Sequence, residues 1–461
     1  MAKLNVPRQK IYTHEGAVAK HINAEQLLRR SVMACLLWEK QFYEDGVDIA
    51  NRIAMTIPKV KPEVVSQIAI EARTAMKLRH VPLLIVREMA RLDSHKHLVA
   101  YTLERIIQRA DELTEFLAIY WKDGRQPLSA QVKKGLAKAF PKFDSYQLAK
   151  YNRDGVVKLR DVLFLSHAKP KDQEQEKVWK KLVDGTLEPP ETWEVLLSAG
   201  EDKKTVWEKL LSEKKLGGMA FLRNLRNMTS VDVDDTLIRN ELENINISRI
   251  LPFRFISAAR YAPKFEPELD ALMLKCLGSQ DKINGHTVLL VDVSGSMEQR
   301  VSHKSDITRL DAACGVAILL REICDRVDIY TFSGSLIQVP ARHGFSLRDA
   351  VVNSQRHECT PLGEAVSCIY KDKLYSPTRT HWMLQGGYKG QNLRPDRLIV
   401  ITDEQSHSKV PDPYHGKGYM INVGSYQNGV GYGAWLHVDG WSEAVVNYIQ
   451  AIEESPLFLD Q

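Results

Sequence analysis

The stretch HTVLLVDVSGSMEQR, residues 286–300, ends an apolar run on Asp292 and follows it with Ser294 and Ser296 around Gly295. A tight turn through that glycine lets three side-chain oxygens face one point. Two other segments offer the same donor type. CTPLGEA sets Thr360 before a helical pattern, and ITDEQ sets Asp403 directly after a second apolar run, RLIVIT. Two carboxylates and three hydroxyls, with room for water, suit a hard octahedral cation, so Mg2+ or another divalent ion is expected. The plain alternative is a strand-end turn in which Asp292 and the serines only cap the next segment.

Other chemistries fit less well. VDVDDTLI, residues 231–238, has the DxDxT spacing of a phosphatase, with Asp232 as nucleophile and Asp234 as acid. That chemistry needs an apolar strand before the first Asp, and RNLRNMTS stands there instead. An acidic turn opening the next helix is the better reading. No GxSxG elbow surrounds Ser294 or Ser296, and hydroxyls beside carboxylates favour a cation over nucleophilic attack. With one carboxylate-rich cluster, a metal-dependent nuclease is disfavoured, and the chain is not expected to be an enzyme.

The elements that must position these residues change period near residue 283. Before it, apolar residues recur at helical spacing. Helices are expected at residues 24–38 and 62–76, from Val81-Pro82, in one long run from about 98 to 122, and then over 129–140, 145–151, 161–167, 192–199, 205–216 and 220–228. Serial short amphipathic helices favour a HEAT-like α-solenoid. After Gly285, strands at 286–291, 327–332, 397–402 and 419–423 alternate with helices at 308–325, 361–370 and 442–452. Continuous apolar strands between helices mean a parallel sheet covered on both faces, which binds ligands at its strand carboxyl ends. Asp292 and Asp403 both fall there. The expected domains are therefore 1–283, helical, and 284–461, α/β.

Charge divides along the same line. Residues 1–283 hold 47 Lys+Arg against 38 Asp+Glu, and residues 284–461 hold 16 against 20. The excess peaks at residues 51–150, with 18 basic against 10 acidic, so the first part is suited to a polyanion. None of the six cysteines forms a CxxC pair, which fits reduced thiols. The N-terminal residues lack a signal-peptide core and the apolar runs are too short to span a membrane. A soluble cytoplasmic protein without membrane contact is expected.

Two resemblances sharpen this reading. The series Asp292, Ser294, Ser296, Thr360, Asp403 closely resembles the metal-ion-dependent adhesion site of von Willebrand factor A domains. That resemblance implies that a partner's carboxylate could complete the metal sphere. LRHVPLLIVREMAR at 78–91, PLSAQVKKGLAKAF at 127–140, LAKY with RDVLFLSHAKP at 148–170, GGMAFLRNLRNM at 217–228 and ILPFRFISAARYA at 250–262 resemble the TROVE module of the Ro RNA-binding proteins, over roughly residues 12–455. The resemblance implies a ring of HEAT-like helices joined to a von Willebrand A domain (Rossmann-like, parallel sheet). It implies binding of small structured Y-type noncoding RNA, and of the single-stranded ends of misfolded or 3′-extended RNA. In bacteria it also implies RNA delivery to a 3′ exoribonuclease such as polynucleotide phosphorylase. The Y-RNA contacts carry over to Lys150, Arg153 and His167. The arginine match needs a one-residue gap, which leaves Asp154 as an alternative counterpart.

Further basic residues could meet phosphates. Lys77, Arg79 and His80 gather at one helix end, and Lys133, Lys134 and Lys138 line another helix. Arg223 and Arg226, with Asn224 and Asn227, offer phosphate contact and base hydrogen bonding. Their plain alternatives are a solvated helix face for the lysines, helix-to-helix ion pairs for the arginines, and a core histidine bonded to backbone for His167. The leading expectation is a Ro-like ribonucleoprotein component. The rival is a metal-dependent protein-interaction scaffold without RNA. Residues 371–395 read as an insertion in the A domain.

Overall fold

The computed structural model describes residues 10–33, 46–152, 155–188, 190, 193–198, 202–247, 250, 252–276, 282–301, 306–370, 394–424, 426–440 and 443–454. Arg153, Asp154, Cys35 and residues 371–393 of the expected insertion lie outside them.

The first helices are α1 (Ala24–Met33), α2 (Gly46–Thr56), α3 (Pro62–Thr74), α4 (His80–Arg91), α5 (Val99–Ile106), α6 (Asp111–Tyr120), α7 (Ala130–Ala139), α8 (Ser145–Tyr151), α9 (Leu159–Ser166), α10 (Gln173–Asp184), α11 (Trp193–Ser198) and α12 (Lys203–Ser212). Their starts are written locally. Pro62 occupies the first turn of α3, and the Ser129 hydroxyl accepts from the Val132 N–H at the start of α7. Asp144 and Gln147 form a capping box on α8. Leu84, Val86, Leu103, Phe116, Leu136 and Phe140 belong to one buried cluster beneath these helices.

The expected long helix over residues 98–122 is two helices, α5 and α6. Glu112, fully buried, accepts from the backbone N–H groups of Gln108 and Arg109 at 2.8 and 3.0 Å. Its other oxygen lies 2.8 Å from the Arg73 guanidinium. A carboxylate that caps a new helix from inside the core stops the first one, and apolar periodicity alone does not reveal it.

Helices α13 (Gly218–Ser230), α14 (Asp235–Asn244), α15 (Pro252–Tyr261) and α16 (Glu266–Lys275) follow. Asp234 is the N-cap of α14, accepting from Thr236 N–H at 2.7 Å, and Asp232 adopts a left-handed φ of 53°. The DxDxT look-alike is thus an acidic turn.

The remaining elements are β1 (Ile283–Asp292), α17 (Arg309–Ile323), β2 (Cys324–Phe332), β3 (Leu336–Val339), α18 (Gly344–Val352), α19 (Leu362–Tyr370), β4 (Arg397–Thr402), β5 (Lys417–Asn422), β6 (Leu436–Asp439) and α20 (Glu443–Glu454). The sheet order is β3-β2-β1-β4-β5-β6. All pairings are parallel except β2 with β3. The sheet is therefore not purely parallel: a four-residue antiparallel edge strand closes one side. β4 is buried along its whole length, and β1 from Thr287 to Asp292, because helices cover both faces. Cys314, Cys324 and Cys368 are buried and free. Among the described residues no helix is long and apolar enough to cross a membrane.

The chain forms two compact units. One comprises Ala24–Trp38 and Gly46–Leu216; the other comprises Met1–Asn23, Glu39–Asp45 and Gly217–Gln461. Helices α13 to α16 thus belong with the sheet, although the sequence period changes only at residue 283. Arg260 of α15 donates to Asp311 of α17 and, at 2.9 Å, to the Asp306 carbonyl. Residues 13–20 also lie on the sheet unit. Thr13 donates to the Ser406 carbonyl at 2.7 Å, and His14 N–H donates to Gln405 Oε1 at 2.8 Å. Lys20 N–H donates to the Gly429 carbonyl at 3.1 Å, and Ala17 enters the buried core beside Val288 and Leu398.

Candidate functional site

The strand order reverses between β1 and β4, whose chains leave in opposite directions. Such a switch point opens a crevice outside the strand carboxyl ends. Asp292 ends β1 and Asp403 directly follows β4, so both carboxylates arrive at that crevice, and both are fully buried. The Ser294 N–H donates to Asp292 Oδ1 at 2.9 Å, and the Thr402 hydroxyl donates to Asp292 Oδ2 at 2.6 Å. The Ser294 and Ser296 hydroxyl oxygens are 3.3 Å apart. Gly295 N–H donates to the Glu358 carbonyl at 3.1 Å, and His407 N–H to the Thr360 carbonyl at 3.4 Å. These bonds tie the loops at 292–296, 358–360 and 403–407 together, and Thr360 is buried among them.

Burial, and after it the Asp403 charge, raises the Asp292 pKa; hydrogen bonds from Ser294 and Thr402 oppose the shift. Arg309 of α17 donates from Nη1 to Asp403 Oδ2 at 3.1 Å, with side-chain exposures of 3% and 0%. Two buried carboxylates, one of them bonded to a buried guanidinium, lie beside the hydroxyls of Ser294, Ser296 and Thr402. That donor set fits a hard divalent cation. Among the described residues no cluster of three or more His, Cys, Asp or Glu side chains could hold a metal, so hydroxyl donors are essential to any such site.

Sequence reasoning missed two members. Thr402 is the last residue of RLIVIT, and its hydroxyl was legible as a donor beside Asp403. Arg309 carried no local signal, because its partner is 94 residues away.

A second buried cluster lies one residue along. Glu404, with a left-handed φ of 60°, pairs with His437, whose ring also lies 3.4 Å from Asp439 and stacks on Tyr432 at 3.9 Å. Burial alone would lower the His437 pKa, but Asp439 and Glu404 more than offset it and raise it to about 9.

The basic residues sort into engaged and exposed. Arg79 reaches Asp111 and Glu115 at 2.8 and 2.7 Å, and His80 lies 3.6 Å from Glu115. Both bind neighbouring helix α6. Lys77 has a left-handed φ of 57° after α3 and donates to the Thr74 carbonyl at 2.5 Å. Lys134 is exposed and Lys133 half-buried on α7, while Lys138 pairs with Glu104 at 3.3 Å. Lys150, half-buried on α8, holds its ammonium 5.9 Å from the Tyr151 ring centroid. His167 is exposed, at the left-handed C-cap of α9, so it is not a core histidine. Arg223 and Arg226 are exposed on α13, whereas Asn224 is buried and donates to the Ala220 carbonyl at 2.9 Å, which removes it from base recognition.

Residues 185–275 match the TROVE domain family. Over 89 residues the chain is 38% identical to telomerase protein component 1 of mouse and 36% identical to that of rat. Those matches span 18% of this chain and 3% of each relative. The fold is similar to the crystal structure of the Deinococcus radiodurans Ro (RSR) protein, with a TM-score of 0.59 and 17% identity, covering 94% of this chain and 99% of that one. Residues 185–275 are thus a TROVE-like segment, and the chain as a whole, mostly helical elements followed by a six-stranded sheet, shares the fold of that Ro protein.

Proposed function

We propose that the chain is the RNA-binding protein component of a Ro-type ribonucleoprotein. The observation that carries the reading is the TROVE match at residues 185–275 within a fold that follows the Ro protein over 94% of the chain. The basic excess of residues 51–150 supports it, since polyanion binding needs such a surface. Lys150, His167, Lys133 and Lys134 are the contacts proposed first, because their side chains are at least partly open to solvent. The RNA classes are small structured Y-like RNA and the single-stranded ends of misfolded or 3′-extended RNA, with delivery to a 3′ exoribonuclease. No reaction is proposed for the chain itself.

In the A domain, Asp292, Ser294, Ser296, Thr360 and Asp403 would hold Mg2+, directly or through water. A bound divalent ion would supply a Lewis-acidic position for a carboxylate from a partner. Arg309 and Thr402 orient the two aspartates. The buried carboxylate pair also supports the second reading, a metal-dependent protein-interaction scaffold.

The deciding experiment is purification from the native host at low salt, with sequencing of any RNA that accompanies the protein. A small set of structured RNAs, released at high salt, is the expected result. Nucleic-acid-free protein that also fails to bind structured RNA with a single-stranded end would overturn the RNA reading and leave the scaffold.

A further inference from the structure

Helices α13 and α15 enclose a cavity of about 240 Å³ within the sheet unit. Its apolar floor includes Met219, Leu222 and Ala258. Its polar wall is unusual in charge: Arg223 and Arg226, one helical turn apart on α13, and Arg254 on α15, against one carboxylate, Asp306. Asp306 is occupied in part by the Tyr261 hydroxyl, to which it is hydrogen-bonded. The Arg226 guanidinium lies over the Tyr261 ring at 4.6 Å, which fixes its direction. Arg254 is half-buried, and its pKa is lowered by burial and then by Arg223. Three guanidinium groups around one concavity repel each other, and that repulsion grows as water leaves. An anion bearing two charges would reverse the sign of the interaction. Arginine's planar fork is matched to phosphate oxygens, which it binds in pairs.

Size narrows the ligand. A water takes about 30 Å³ of liquid, so the cavity has the room of several waters, more than a bare phosphate group needs. Small-molecule sites begin near about 300 Å³, so a large cofactor does not fit. The phosphate end of one nucleotide does, with the remainder of the ligand at the open mouth. We propose that this cavity is a phosphomonoester site seating a single nucleotide. Arg223 and Arg254 take the phosphate, Arg226 is held against Tyr261 at the rim, and Asn227 offers hydrogen bonds to the sugar or base. The same chemistry is presented by a free nucleoside monophosphate and by the phosphorylated end of an RNA strand. For the second source the inference rests on the RNA reading above; for the first it does not.

The test is calorimetric titration of the full chain with adenosine monophosphate, adenosine and inorganic phosphate, and then with one short oligoribonucleotide bearing either a terminal phosphate or a hydroxyl. Adenosine monophosphate is expected to bind, and adenosine at least about tenfold more weakly. Arg254→Gln should weaken monophosphate binding by about tenfold, while Asp306→Asn should leave it unchanged or tighten it. Arg223→Gln, at an exposed position, is the companion variant should Arg254→Gln fail to fold. A terminal-phosphate preference in the oligonucleotide that exceeds monophosphate binding assigns the site to RNA ends; the reverse assigns it to free nucleotide. Equal binding of phosphorylated and unphosphorylated probes, no binding of either, or wild-type affinity in the folded arginine variants would overturn the inference. If structured RNA still binds in that case, the RNA reading stands while the pocket assignment falls.

Discussion

Asp292 and Asp403 sit at the ends of adjacent strands with their carboxylates buried, and Arg309 reaches Asp403 at 3.1 Å. A divalent cation should therefore raise the melting temperature of the wild-type protein, because ligand binding to the folded state stabilises it. Asp403→Ala should abolish that rise; a variant that still responds to Mg2+ like the wild type would rule the site out. The neighbouring His437 gives a prediction in pH. Its folded pKa, about 9, lies above its ordinary value of 6.5. The folded state thus holds its proton longer than the unfolded chain does. Its contribution to stability is complete below pH 6.5 and is lost as the pH rises through about 9. The loss should be on the order of 3 kcal/mol, and His437→Gln should flatten that part of a urea-unfolding profile against pH. Parallel profiles for wild type and variant would remove the role. At this scale the strand-end positions of Asp292 and Asp403 were readable, because an uninterrupted apolar run precedes each. Arg309 was not, since only the packing of α17 over β4 brings it to Asp403. Asn224 misled, as its spacing suited RNA while its burial turns its amide onto its own helix.

Elements reveal where apolar periodicity suffices. Most helix starts were legible from Pro, Ser and Asp at first turns, and β1 and β4 from uninterrupted apolar runs. What escaped includes helices α2, α10, α15, α16 and α18, which were not among the expected elements, the short strands β3 and β6, and one break made by a long-range contact. β3 has four residues and is an antiparallel edge, and β6 also has four. The break between α5 and α6 depends on Glu112, whose buried carboxylate serves two backbone N–H groups and Arg73. Glu112→Ala should leave a buried guanidinium and two amides unsatisfied, at a cost of about 3 kcal/mol, read as a lower urea midpoint. An unchanged midpoint would mean that water or another group takes over the cap.

Over the whole molecule, the proposed function assigns RNA to the basic helical part and a cation to the sheet. RNA affinity should fall steeply with salt, and Lys150→Glu should weaken it by at least about tenfold while Asp292→Ala changes it little. Equal losses in a filter-binding titration would contradict that division. The basic excess and the change of period were plain in the sequence, yet the assignment of α13 to α16 to the sheet unit was not, because it rests on tertiary packing. The strap formed by residues 12–20 has a consequence for biosynthesis. Thr13 finds its partner 393 residues later, at Ser406. During translation the helical unit, complete at Leu216, can condense while the strap still waits for the sheet that will receive it. The sheet unit is thereby the last to close, and a fusion placed ahead of residue 10 would bear on that final step more than on the helices nearest to it in sequence.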